Sequence, residues 1–249
     1  MAWLQTFWGS LDVEMKFYLI FIAAYLVLTI AGVIASVKVN STFSKYSAVA
    51  ASCGLTADQI ARRILDDNGL QHVQIKRISG NLTDNYHPTQ KVLSLSQTVY
   101  GSRSVAAIGV ACHEAGHAIQ HSKKFVFSTI RLKLVPVVNF ANSLLLPLML
   151  VGMLLGFGSY LSIGRIFIWA GVIIFGLSLL FSLVTLPTEF DASRRAQRAL
   201  KDGYFSSQEA AMSRKVLTAA AMTYIVSFLM SLLQFARFFF LLLMSRRRN

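Results

Sequence analysis

ACHEAGHAIQ, residues 111–120, is the stretch from which the rest of the chain is read, because it contains His113-Glu114-Ala115-Gly116-His117. Two histidines four apart on an α-helix lie one turn apart on nearly the same face, so both imidazoles can reach one metal ion. The glutamate beside the first histidine points to the flank of that face, where a metal-activated water would sit. Two imidazole ligands and a carboxylate base on one helix make the HExxH pattern of metal-assisted peptide hydrolysis. The chain has only 5 histidines, so the pattern should arise by chance in well under ~1% of such sequences. A plain helix with two hydrogen-bonded histidines is the competing reading until a third ligand is found.

Working outward, the composition places this motif in an unusual setting. Of 249 residues 55% are hydrophobic and 14% charged, and the mean hydropathy is +0.55. These values point to a membrane protein rather than a soluble enzyme. The net charge of +13 suits either nucleic-acid binding or basic flanks on several membrane spans. No long basic amphipathic stretch with interleaved aromatics appears, so nucleic acid is excluded as a partner and the lipid bilayer expected. Two cysteines, Cys53 and Cys112, make no disulfide framework. Cys112 lies about 100° around the helix from His113 and reads as a packing residue.

The fold class expected is a mainly α, polytopic membrane protein: about four transmembrane helices plus a zincin-like α+β region with a small sheet. Residues 1–38 hold Trp3, Phe7 and Trp8, suited to an interface, and the uncharged run Phe17–Val37, long enough at 1.5 Å per residue to cross the ~30 Å core. Its length, with Asp12 and Glu14 before it, favours a retained span over a cleaved signal. Residues 39–133 form a polar region. Thr56–Asn68 reads as a capped helix with Ile60, Ile64 and Leu65 on one face. Val73–Ile78 and Lys91–Ser96 read as strands joined by a turn-rich loop, and Ser104 to about His121 as the motif helix. Residues 134–186 form a membrane hairpin. Its first span, Leu134–Phe157, is kinked by Pro136 and Pro147, with Asn139 and Ser143 expected to face another helix. A turn at Gly158–Arg165 leads into a span over Ile166–Leu186. After Pro187, residues 187–215 begin with a polar helix that should stop near Gly203. Residues 216–249 are the last span, where Arg237 either snorkels or faces the bundle, and a basic tail.

A catalytic zinc site needs a third protein ligand. His121 is a poor candidate, because ligands at i, i+4 and i+8 would spread about 12 Å along the axis. His72 and His87 fall in the strand and loop region. Glu189 and Asp191 follow the hairpin directly, and two crossings return the chain to the motif's side of the membrane. The two carboxylates stand roughly 200° apart on a helix, so only one can face the metal. Either one could instead merely favour a helix N-terminus.

The stretches LTDNYHP (82–88), KVLSLS (91–96), AAIGVACHEAGHAIQ (106–120) and LPTEFDASRRA (186–196), together with the order of spans around them, resemble the neutral zinc metallopeptidases of the YugP type, membrane proteins of bacteria. The segment around Glu189 also looks like the third-ligand helix of HtpX-like and CAAX-prenyl proteases. The resemblance implies zinc held by His113, His117 and Glu189, with Asp191 as the alternative ligand and Glu114 as the base. Ser193 falls where those more distant enzymes carry an aspartate that supports a ligand histidine, so the surroundings of the metal must differ here. Tyr86, Arg194 and Arg195 are candidates for oxyanion or substrate contacts. The strand Lys91–Ser96 either pairs with an extended protein or peptide substrate or is an internal strand.

Lysines and arginines number eighteen in segments 38–133 and 187–215 and six on the opposite side. The short segment 187–215 favours a cytoplasmic active site in a bacterial inner membrane, while the basic tail pulls the other way. An intramembrane site-2-type protease is disfavoured by the polar flanks of the motif helix and by the missing NxxPxPxLDG-like partner motif. An inactive zinc-binding membrane scaffold is the alternative from another class, against which Glu114 argues.

Overall fold

Phe17–Val37 lies within one helix, α1, which runs Val13–Ser47 in the computed structural model of the chain. The structure describes residues 9, 11–154 and 161–247. Trp3, Phe7, Trp8, the start of the Gly158–Arg165 turn and Arg248 lie outside these residues. The remaining elements are α2 (Ala57–Asp67), β1 (Gln74–Ile78), β2 (Asn85–His87), β3 (Val92–Ser96), α3 (Val105–Ser122), α4 (Val126–Ser143), α5 (Leu145–Leu154), α6 (Leu161–Gly203) and α7 (Ser207–Arg247). Four helical stretches among the described residues are long and apolar enough to cross a membrane: Val13–Ser47, Val126–Leu148, Ile166–Gly203 and Ser207–Met244. The architecture is therefore mainly helical, with four candidate spans and one small sheet.

By its contacts the chain forms two compact units. One holds α1 up to Ile34, Val137–Ser182 and α7 from Val226. Aromatic stacking marks it, with the Phe17 and Phe240 rings 3.7 Å apart. Among the described residues Arg237 reaches no acid, and its guanidinium stands 5.0 Å from the centre of the Phe21 ring. Asn139 and Ser143, expected to face a neighbouring helix, are exposed instead. Asn142 takes that role, accepting from the Ser178 hydroxyl at 3.3 Å.

The other unit, Ala35–Pro136 with Leu183–Ile225, contains the motif. Its core is the face of α2 formed by Ile60, Ala61, Ile64 and Leu65, packed with Val105, Ile108, Ala111 and Cys112 of α3. Capping fixes where both helices begin. The Thr56 amide donates to Gln59 Oε1 at 3.0 Å, and Ser104 Oγ accepts from the Ala107 amide at 3.2 Å. Glu209 ties the loop after α1 to the start of α7, accepting from Ser52 N at 2.6 Å and from Ser206 N at 2.8 Å.

Two expectations change here. The turn-rich loop contains a third strand, β2, which pairs antiparallel with β3 through Tyr86↔Leu93. Its three residues are too few to show period-2 alternation among turn formers. The sheet order is β1-β3-β2, with β1 and β3 parallel, so β3 is central and paired on both edges. It cannot add a substrate strand.

The prolines also behave unequally. A proline ring clashes with the carbonyl four residues back. For Pro147 that residue is Ser143, the last of α4, and the helix breaks at Leu144 before resuming as α5. Pro187, by contrast, lies within the unbroken α6, so the apolar run and the polar helix expected after it are one 43-residue helix. The next turn is held by the Thr188 hydroxyl, which donates to the Val184 carbonyl at 3.0 Å. The span expected from Leu134 belongs to a helix that begins at Val126, and this brings Arg131 onto α4.

Candidate metal centre

The site is made where α3 crosses α6, and the crossing is close because Gly116 has no side chain. A Cβ there would stand 2.7 Å from the Ala192 carbonyl oxygen and 3.2 Å from its Cα. Glycine is therefore the residue this contact requires. His113 and His117 flank Gly116 by three residues before and one after, and Glu189 and Ser193 flank Ala192 by the same offsets. All four side chains converge on the crossing.

Glu189 Oε2 lies 3.2 Å from His113 Nε2 and 3.5 Å from His117 Nε2. One ligand atom from each of the three residues falls within 4.8 Å of the others. The two imidazole rings are nearly perpendicular, at 81°. Glu189 is 2% exposed, and its other oxygen, Oε1, accepts from Arg131 Nη1 at 2.6 Å. A buried carboxylate with one oxygen neutralised by a guanidinium and the other shared by two imidazoles is held in one rotamer.

The outer nitrogens of the histidines are also engaged. His113 Nδ1 lies 3.1 Å from Ser193 Oγ, so a hydroxyl backs this imidazole. His117 Nδ1 lies 3.0 Å from Gln120 Oε1. Gln120 is fully buried, and its amide nitrogen donates to the Thr188 carbonyl at 2.7 Å and to Asp191 Oδ2 at 2.9 Å. These two acceptors orient the amide, so Oε1 faces His117 and Nδ1 must carry a proton. The Nε2 atoms of both rings are directed at Glu189. Two imidazole nitrogens and one carboxylate oxygen, each oriented from behind, form a donor set that suits zinc.

Glu114 is buried beside the cluster and lines two cavities, one of about 670 Å³ and one of about 180 Å³. Burial pushes its carboxyl up, against the opposing pull of His117 and His113. For His117, burial lowers the imidazole, but the Glu189 carboxylate outweighs this and leaves it raised. The larger cavity is faced by β2 through Tyr86 and His87, and by His117, Arg131, Glu189 and Tyr224.

The other candidates are dispersed. Asp191 accepts from Arg195 Nε at 2.6 Å and from Gln120, and does not join the three-residue cluster. Arg195 is thereby occupied, and Arg194 lines a different cavity. Tyr86 faces the larger cavity, its hydroxyl 3.3 Å from His121 Nδ1. His72 and His87 are exposed. Arg131, Gln120 and Tyr224 were not singled out from the sequence. Gln120 had a signal, since it follows His117 by three residues and shares its helical face. Arg131 and Tyr224 had none, because an arginine or tyrosine near an apolar run reads first as an interface anchor.

Residues 18–243 match the model of a family described as "Putative neutral zinc metallopeptidase". The chain is also 44% identical over 216 residues to "Putative membrane protease YugP" of Bacillus subtilis (strain 168), covering 86% of this chain and 93% of that protein. No solved structure matches it.

Proposed function

This chain belongs to the neutral zinc metallopeptidase family, and from that premise we propose that it is a zinc-dependent endopeptidase cleaving peptide bonds at a membrane surface. The observation that carries the reading is the approach of Glu189, from a helix beyond the hairpin, to both imidazoles of the motif helix. His113, His117 and Glu189 would hold the ion, with Asp191 committed to Gln120 and Arg195. Zinc, when bound, supplies a Lewis acid and lowers the pKa of its water toward ~7.

Everything else falls to the protein's own groups. Glu114 takes the proton of the attacking water and delivers it to the leaving amine; its buried position raises its basicity toward that task. Gln120 holds the His117 imidazole in the tautomer that presents Nε2, and the Ser193 hydroxyl steadies the His113 ring at Nδ1. Tyr224 and Tyr86 line the cavity beside Glu114, and in this reading one of their hydroxyls would donate to a developing oxyanion. Burial raises the Tyr86 phenol, which keeps it a neutral donor near pH 7. An extended substrate would pair along the outer edge of β2, which borders the same cavity, in place of the central β3.

The reading extends to a bacterial inner membrane with the site facing the cytoplasm, supported by the six cations of segment 187–215. Membrane or misfolded proteins are the substrates that suit a catalytic helix tied to spans. The test is Glu114→Gln in the purified full chain. Zinc content should stay at the parent level while cleavage of an unfolded test protein falls at least ~10²-fold. Parent-level cleavage by the variant would remove Glu114 from its role, and a parent protein that binds zinc yet cleaves nothing would favour the scaffold alternative.

A further inference from the structure

The polar part of α6 and the first turns of α7 line a third cavity, of about 560 Å³, which Ser193 also borders. Arg194, Arg198, Lys201 and Arg214 line it, and no carboxylate does. Among the described residues none of the four forms an ion pair. Their neighbour Arg195 is paired with Asp191, whose charge also reaches Arg194 without forming an ion pair with it. Arg194, Arg198 and Lys201 follow one another at helical spacing on one face of α6, where like charges destabilise a helix. Converging with Arg214 on a shared concavity, they constitute a site that an anion would neutralise.

The chemistry of that anion is narrowed by the rest of the lining. Ser193 and Ser207 offer hydroxyls to such an anion. Leu217 and Ala221, by contrast, form an apolar wall and belong to the apolar run of α7. A small soluble anion would use only the polar half of such a cavity. A phosphodiester carrying acyl chains would use both halves, and basic pockets next to spans are suited to anionic headgroups.

We propose that this cavity binds the phosphate of an anionic phospholipid headgroup. The site shares Ser193 with the surroundings of the candidate metal centre but none of its ligands, and it does not depend on the peptidase reading. Its occupant abuts Ser193, the residue that contacts His113 Nδ1.

The test uses the purified full chain in a nonionic detergent, mixed with phosphatidylglycerol or phosphatidylcholine, with retained lipid counted by native mass spectrometry. The parent should retain phosphatidylglycerol in preference to phosphatidylcholine. Arg214→Gln should reduce that retention about fivefold, and Arg198→Gln with Arg214→Gln further, from the worth of one basic residue near an anionic headgroup. Lys76→Gln with Arg77→Gln removes the same charge from exposed positions on β1 and should change nothing. Displacement of the lipid by millimolar inorganic phosphate would show that the phosphate group itself is recognised and that a soluble phosphate can supply it. Retention despite phosphate would show that the acyl-linked headgroup is the source. Equal retention of the two lipids by the parent, or an equal loss in the Lys76/Arg77 variant, would overturn the proposal.

Discussion

Gly116→Ala separates the two things that the crossing of α3 and α6 does. The added Cβ would lie 2.7 Å from the Ala192 carbonyl oxygen, whereas ordinary contact begins near 3.4 Å, so the helices must part by about 0.7 Å. The obstacle is backbone, which cannot rotate away. Alanine gains about 1 kcal/mol over glycine within a helix, while overpacking costs about 1–3 kcal/mol. Net destabilisation is therefore between about zero and 2 kcal/mol, too little to unfold the protein. The ligand set is less forgiving. His113 and His117 ride on one helix and Glu189 on the other, so the separation falls across distances of 3.2 and 3.5 Å. Zinc affinity, measured by competition with a chelator, should fall about 10-fold or more, since misplacements near 1 Å can cost about 10²-fold in function. Gly109→Ala is the control on the same helix. Its Cβ would meet the Ser213 hydroxyl, which can rotate only by giving up its bond from Gln197, a cost to stability remote from the ligands, and zinc affinity should stay at the parent value. Parent-like zinc binding by Gly116→Ala, or an equal loss in both variants, would refute the claim that backbone proximity at Ala192 sets the ligand geometry.

Two further outcomes follow from the groups behind the ligands and a third from a carboxylate bonded to β3. Gln120→Leu leaves His117 Nδ1, the Thr188 carbonyl and Asp191 without their shared partner, and zinc affinity should drop about 10–100-fold with the fold intact by circular dichroism. Arg131→Met leaves the buried Glu189 carboxylate without its cation, a change that costs about 3–5 kcal/mol in buried pairs. Because zinc can take over that neutralisation, thermal melts of the variant should show a larger stabilisation by added zinc than melts of the parent. Asp84 accepts from Ser96 N at 2.7 Å and from Ser96 Oγ at 2.9 Å, yet burial holds its carboxyl above the usual range. A carboxyl raised in the folded state favours folding while protonated, and this contribution is lost as pH rises through the folded value. Stability of Asp84→Asn relative to the parent should therefore rise from pH 4 toward neutrality and then level off; a difference independent of pH would contradict it.

What could be read from residues alone divides along physical lines. The motif and the spans were legible because each rests on a periodicity local to one helix: a spacing of four for the imidazoles and a run of about twenty for the spans. The place of Glu189 was legible for a different reason, since counting two crossings returns the chain to the motif's side whatever the packing. Whether Glu189 or Asp191 faced inward was not legible from spacing, because either orientation of the helix is compatible with two carboxylates two apart. Gly116 and Gln120 settle that orientation: the glycine lets Ala192 approach, and the glutamine engages Asp191 on the side away from the cluster. Strand β2 was hidden because three residues carry too little alternation, and without it the choice between a substrate-pairing and an internal role for β3 stayed open. Arg131 was hidden by its surroundings: a cation before an apolar run is expected to seek lipid headgroups. Its approach to Glu189 at 2.6 Å gives it another role. A carboxylate 2% exposed needs compensation before any metal arrives, and the guanidinium supplies it at the oxygen that the imidazoles leave free. The guanidinium thus commits Oε1, and Oε2 is left facing the two Nε2 atoms, three acceptor atoms whose shared partner would be a divalent cation.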